Sequence, residues 1–124
     1  MIEGSVNAAY EATIPLRLYG ANSQAFGISV VVDTGFSEFL TLPPRLVAEL
    51  ELPFAYFGQA VLADDTEADF DVHHVTVLWD GRPRDVEVGA MGGTPLAGMR
   101  LLDQHTLTID VENGGRVAIQ AKAQ

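Results

Sequence analysis

The sequence predicts an all-β fold, and three observations lead to this prediction. Short runs of β-branched and apolar residues are separated by turn residues along most of the chain, a pattern typical of closely spaced strands. Asp80-Gly81 and Asn113-Gly114 each lie between two such runs, where they can adopt the positive φ angles of a hairpin turn. Segments with helical spacing are short and few. The 124 residues, 48% of them hydrophobic, fit one domain, residues 1–124, with its own core.

The turn residues set the boundaries of the predicted elements. The runs between them predict strands at residues 9–19, 26–32, 75–79, 82–88, 107–111 and 116–119. Pro43-Pro44 stands where proline is tolerated, in a first helical turn, and apolar residues follow at helical spacing, which predicts a helix over residues 43–51. A second short helix is predicted over residues 99–104, directly after Gly98.

The composition excludes several classes of function. Seven Lys and Arg against seventeen Asp and Glu give a formal net charge of −10, which repels nucleic-acid phosphates and anionic lipid head groups. We therefore expect neither nucleic acid nor membrane as a partner. The chain has no cysteine, so disulfides, thiolate metal sites and a cysteine nucleophile are excluded. It lacks a basic segment followed by an apolar one at the start, and no apolar run approaches the roughly 20 residues of a membrane span, which predicts a cytoplasmic protein.

Asp33 is the residue that most needs an explanation. It directly follows Val30-Val31-Val32, part of a run that predicts a strand buried on both faces. An ionised carboxylate at the end of such a strand costs free energy unless it is partnered. One interpretation is a turn aspartate that accepts backbone N–H bonds, with Gly35 supplying a special φ. The other is a catalytic acid.

Two motifs resemble those of a known enzyme family. Asp33-Thr34-Gly35, followed by the apolar stretch at residues 39–43, resembles the active-site segment of the aspartic proteases, in particular the single-domain retropepsin-like enzymes of bacterial type. Pro95-Leu96-Ala97-Gly98 with residues 99–102 is similar to that family's apolar-apolar-Gly motif and the short helix after it. The motifs are separated by roughly sixty residues, as in the family. The resemblance covers residues 9–119 and implies a closed β-barrel with one or two short helices.

The resemblance also implies a mechanism, hydrolysis of a peptide or protein substrate. Two carboxylates share one proton, because like charges that close cannot both ionise, and one activates water while the other donates to the carbonyl oxygen. No other Asp in this chain is followed by Thr or Ser and then Gly. A dyad would therefore need a twofold-symmetric homodimer with one Asp33 from each copy. No metal or organic cofactor is implied.

The neighbours of Asp33 acquire roles by the same resemblance. Thr34 would form a hydrogen bond across the dimer axis, and Gly35 would let the substrate backbone approach closely. Gly98 would pack beside the loop and orient the carboxylate. Phe36, where relatives usually have a small residue, either narrows the cleft or fills core. Ser37 either contacts the substrate backbone or is an ordinary turn hydroxyl.

Residues 58–70 fall where the family carries its flap, a hairpin that closes over the substrate. Ala63, Asp64 and Asp65 are the expected contacts at its tip, and Glu67 and Asp69 add to its negative charge. Two such tips at a dimer axis would repel each other and favour basic or polar substrates. An ordinary solvated acidic hairpin tip is an equally good interpretation.

Other chemistries are less well supported by the spacing. His73 and His74 are adjacent, so on a strand they point to opposite faces and cannot share one metal ion. No Ser-His-Asp arrangement follows from the sequence. The main alternative is a retropepsin-like module that binds peptide or dimerises without cutting, which would use the same cleft.

Overall fold

The computed structural model describes residues 1–61 and 64–123. Within these residues the chain is all-β with little helix, as predicted, and its one helix spans six residues, too short to cross a membrane. In chain order the elements are β1 (Ile2–Val6), β2 (Ala12–Tyr19), β3 (Ala25–Val32), β4 (Leu40–Leu42), α1 (Pro44–Glu49), β5 (Phe54–Val61), β6 (Glu67–Trp79), β7 (Arg82–Ala90), β8 (Leu96–Ala97), β9 (His105–Ile109) and β10 (Arg116–Ala121).

The two predicted hairpins are present but differ in their turns. In the first, Trp79 pairs with Arg82, so Asp80 and Gly81 form a two-residue turn, and both have positive φ, 50° and 82°. In the second, the strands end at Ile109 and begin again at Arg116, and Gly114 has a φ of 82°. The Asn113-Gly114 connection is therefore longer than a two-residue turn.

Residues 99–104 form consecutive turns, so the prediction of a second helix was wrong. The N–H groups of Leu101 and Leu102 donate to carbonyls three residues earlier, both at 3.1 Å, which is the tighter pattern of short helical turns. Gln104 then has a φ of 67°, and β9 begins at the next residue. Leu101 and Leu102 are buried within these turns.

An additional strand pairing makes a ring within the ten-stranded sheet. The strand order is β5-β6-β7-β4-β8-β3-β2-β1-β10-β9, and β2 also pairs with β6. Six strands therefore form a ring of hydrogen-bonded neighbours: β2, β3, β8, β4, β7 and β6. β5 extends the sheet beyond β6, and β1, β10 and β9 extend it beyond β2.

The hydrophobic core is built from alternate residues of the ring strands. Period-2 alternation places one face of each strand inward, and the apolar side chains on that face are buried, as in Ile14, Leu16 and Leu18 of β2. β6 contributes Val75, Val77 and Trp79 to the same core in the same way. The core thus gives the loops at the strand ends a rigid support.

The two termini pair with each other inside one chain. β1 is antiparallel to both β2 and β10, and β10 is in turn paired with β9. The outermost strands of the sheet are therefore β5 and β9. The C-terminal hairpin predicted at Asn113-Gly114 therefore pairs with the N-terminal strand within one chain.

Candidate active site

Asp33 lies at the end of β3, in a loop held by a second segment of the chain. β8 pairs in parallel with β3 and antiparallel with β4, so it lies between the strand before the loop and the strand after it. The backbone N–H of Asp33 donates to the Ala97 carbonyl of β8 at 2.9 Å. The Asp33 backbone is therefore fixed by β8 as well as by its own strand.

The Asp33 carboxylate makes a local hydrogen bond. Its Oδ1 accepts the backbone N–H of Gly35 at 2.9 Å, which is the bond of an aspartate turn. Gly35 does not have a positive φ, but a Cβ there would lie 3.2 Å from Asp33 Oδ1. Glycine is thus favoured here by close approach rather than by a special φ. Asp33 itself is half-buried.

Gly98 is packed against the loop more tightly than any side chain would allow. Its N–H donates to the Phe39 carbonyl at 2.9 Å, and the next N–H, of Met99, donates to the Phe36 carbonyl at 2.7 Å. A Cβ at Gly98 would lie 2.1 Å from the Glu38 carbonyl oxygen. The position expected to orient the carboxylate therefore lies against residues 36–39, which follow Asp33 directly.

Thr34, Gly35 and Ser37 are exposed in the single chain, and Phe36 is half-buried. The short loop turns back on itself, because the Phe36 N–H donates to the Asp33 carbonyl at 3.1 Å. A lone carboxylate in such a loop can act as a general acid or a general base, but the hydrolysis of a peptide by water uses both at once. The expected contacts of Thr34 across an axis and of Ser37 with substrate stay predictions.

β5 and β6 form a long hairpin, with Asp64 and Asp65 in the turn that joins them. Asp64 Oδ1 accepts the Thr66 N–H at 3.1 Å and the Thr66 hydroxyl at 2.6 Å, and these bonds lower the pKa of the Asp64 carboxyl. Asp65 has a φ of 64°. Ala63, also expected at this tip, lies outside the described residues.

A groove of about 230 Å³ lies between the loop after Asp33, the β5–β6 hairpin and β7. Among the described residues of the predicted site, Phe36 alone lines it. Asp33, Thr34, Gly35, Ser37, Asp64, Asp65 and Gly98 do not. The lining residues are Phe36, Glu38, Phe39, Leu40, Tyr56, Gly58, Gln59, Phe70, Val72, Glu87, Gly89 and Met91.

Two carboxylates give this mainly apolar groove a negative rim. The Tyr56 hydroxyl donates to Glu87 Oε1, and this bond, together with burial and the charges of Glu87 and Glu38, raises the pKa of Tyr56. Glu38 Oε2 lies 3.7 Å from the Arg100 Nε, in a pair whose side chains are both more than half exposed. Such exposed pairs contribute little free energy, so the negative charge of the rim is only weakly compensated.

Sequence reasoning did not identify Tyr56, Glu87 and Met91 as groove residues. They lie far apart in the chain and meet only because β5, β6 and β7 are neighbours in the sheet. Two glycines carried a signal, because glycine inside a strand often marks a close approach of backbone or side chain. Gly58 of β5 and Gly89 of β7 both lie against the Phe70 ring.

Comparison with known proteins supports the fold. No family model matches the chain, and no curated protein matches it significantly. Among solved structures, a retropepsin-like aspartic protease from Rickettsia conorii is similar, with a TM-score of 0.57 and 16% sequence identity over 98% of this chain and 90% of that chain. A sequence identity this low supports similarity of fold and does not establish a shared function. The chain thus has an all-β fold similar to that of a retropepsin-like aspartic protease.

Proposed function

We propose that the protein is an aspartic endopeptidase of the retropepsin-like type, formed as a homodimer with Asp33 of each copy at the twofold axis. The ring of six strands serves as the closed barrel of that type, and the β5–β6 hairpin serves as its flap. Hydrolysis uses a water activated between the two carboxylates, without a covalent intermediate, metal or organic cofactor.

The observation that carries the proposal is the anchored Asp33-Thr34-Gly35 loop. In a fold similar to an aspartic protease, this acid follows a strand whose last residues, Val30 and Val32, contribute to the core, and its backbone is bonded to the segment that leads into Gly98. A turn aspartate alone would need only the bond from Gly35. The bond from Asp33 to β8, and the bonds from the Gly98 and Met99 N–H groups to the residues after Asp33, support a role that needs a fixed carboxylate, because catalytic groups work only when held near their productive geometry.

The test is peptide cleavage by the wild type and by Asp33→Asn. A diverse peptide library is incubated from pH 3.5 to 7.5 and read by mass spectrometry, with the oligomeric state of each sample measured by analytical ultracentrifugation. Asparagine keeps the size and the Gly35 hydrogen bond of Asp33 but cannot exchange the proton. We expect cleavage by the wild-type dimer and a loss of at least about a thousandfold in Asp33→Asn.

Either of two results would contradict the proposal. If dimeric wild type cleaves no peptide, or if Asp33→Asn cleaves as fast, Asp33 is not the catalytic acid. Binding of the same peptides by both proteins without cleavage would instead support the non-catalytic peptide-binding module.

A further inference from the structure

The groove beside the loop has the dimensions of a pocket for one side chain. At about 230 Å³ it is smaller than the roughly 300–1,000 Å³ of sites that hold whole small-molecule ligands. The lining includes the segment after Asp33, beginning at Phe36, and residues of the hairpin proposed as flap. A peptide lying between that loop and the hairpin could therefore direct one side chain into the groove.

The floor of the groove is apolar and shaped by two glycines. The Phe70 ring lies across Gly58 and Gly89, where a Cβ would come within 2.7 Å and 3.2 Å of ring atoms. Val72 and Met91 extend this floor. A long aliphatic stem could therefore be buried here, which lysine and arginine provide below their charged heads.

The two carboxylates at the rim of the groove favour a positively charged side chain as its occupant. Glu87 is half-buried and accepts one hydrogen bond from Tyr56, so a carboxylate with several acceptor sites has capacity for another donor. Glu38 is on the same rim, and its contact with Arg100 at 3.7 Å is long and exposed. Arg100, the cationic partner of Glu38, is therefore held weakly and can be displaced.

We propose that this groove is a specificity pocket for a lysine or arginine side chain of the peptide, with Glu87 as its main charge partner and Glu38 as the second. The inference rests on the proposed function only in so far as the bound peptide is cut. The aromatic side chains of Phe36 and Phe70 in the groove lining favour the guanidinium of arginine, which stacks on aromatic faces. The expected substrates are therefore peptides with a basic residue near the bond to be cut.

The experiment uses paired peptide pools that differ in charge alone. Octapeptide pools carry either arginine or its neutral isostere citrulline at one fixed position, scanned along the peptide. Cleavage rates are measured for wild type, and equilibrium binding of the same fluorescein-labelled pools is measured by anisotropy on Asp33→Asn. For at least one position we expect about a tenfold preference for arginine, the size of one charge-assisted hydrogen bond.

The variants identify the residues responsible. Glu87→Gln keeps the shape of the side chain and should remove most of the arginine preference, and Glu38→Gln should remove a smaller part. Arg100→Gln releases Glu38 and should raise the preference. Glu112→Gln, in the turn between β9 and β10 and outside the groove lining, is the matched control for net charge and should leave the preference unchanged.

Failure of this inference and failure of the proposed function give different results. Equal use of arginine and citrulline at every position, or an effect of Glu112→Gln as large as that of Glu87→Gln, overturns the pocket even when cleavage occurs. If wild type cleaves nothing but Asp33→Asn still prefers arginine pools and loses that preference in the Glu87→Gln background, the pocket stands and the peptidase does not.

Discussion

The Asp33 loop and the tip of the β5–β6 hairpin contain the same local turn, but they are held in different ways. In each, an aspartate Oδ1 accepts the backbone N–H two residues later, from Gly35 in the loop and from Thr66 in the tip. The loop is also bonded to β8 and the residues after it, through the Asp33 N–H and the Phe36 carbonyl. The tip joins the outermost strand of the sheet to its neighbour.

This difference predicts that the Asp33 loop is rigid and that the hairpin can change its shape. A turn supported on several sides by the core opens only when the core opens, whereas a turn at a sheet edge opens locally at low free energy. The loop therefore suits a group whose position must not change, and the hairpin suits a wall that adapts to a ligand. Equivalent substitutions in the two regions should consequently have different effects.

The largest difference is expected from alanine at two glycines. Gly98→Ala would bring a Cβ to 2.1 Å from the backbone oxygen of Glu38, whereas Gly58→Ala would meet the tip of the Phe70 ring at 2.7 Å. Backbone cannot yield as a ring can, so we expect Gly98→Ala to lower the free energy of unfolding by about 3 kcal/mol or more and Gly58→Ala by about 1 kcal/mol. Urea unfolding followed by the fluorescence of Trp79 measures both.

Gly92→Ala is the matched control for this pair. Nothing lies within 4 Å of a Cβ at Gly92, and its φ is not positive, so its unfolding free energy should change by less than about 0.5 kcal/mol. If Gly98→Ala were no more destabilising than Gly58→Ala, the loop would be less rigidly held than the hairpin, and the comparison would be reversed.

A smaller effect is expected at Thr41, which supports the loop from β4. Its side chain is buried, and its Oγ1 accepts the Leu96 N–H of β8 at 3.0 Å. Thr41→Val keeps the shape but leaves that half-buried N–H without an acceptor, so we expect a loss of about 1–3 kcal/mol in unfolding free energy. Thr108→Val, at an exposed position of β9, should be close to neutral. Equal stability of the two variants would remove Thr41 from the support of the loop.

The sequence predicted the parts of the molecule that depend on local chemistry. Val30-Val31-Val32 predicted the strand that ends at Asp33, and Asp80-Gly81 predicted a two-residue turn, because β-branched runs and positive φ angles are properties of a few adjacent residues. Helix α1 was predicted within one or two residues at each end, from the prolines that begin it.

Pairings between distant segments were not predictable in the same way. The packing of Gly98 beside the Asp33 loop became an expectation only through a family resemblance, and the groove rim of Glu38 and Glu87 was not expected at all. The prediction for residues 99–104 was wrong, because Leu101 and Leu102 are buried in consecutive turns rather than in a helix. Glu38 and Glu87 meet at the groove only because of the order of the strands in the sheet.

The smallest effect is expected at the hairpin tip, where it is measured as a pKa. The Thr66 hydroxyl is the main cause that holds the pKa of Asp64 below its usual value, and the Thr66 N–H is the second. Because the folded pKa is lowered, the contribution of this turn to stability is present above the usual pKa and is lost as the pH falls through the lowered value.

Thr66→Ala should raise the pKa of Asp64 toward its usual value, as measured by NMR of the carboxyl carbon. Thr106→Ala, an exposed position on β9, should leave it unchanged. Because Asp64 is fully exposed, this contribution is small, and the urea midpoint should barely move in either variant. A shift of that midpoint in Thr66→Ala would mean that the tip is coupled to the core, as the Asp33 loop is.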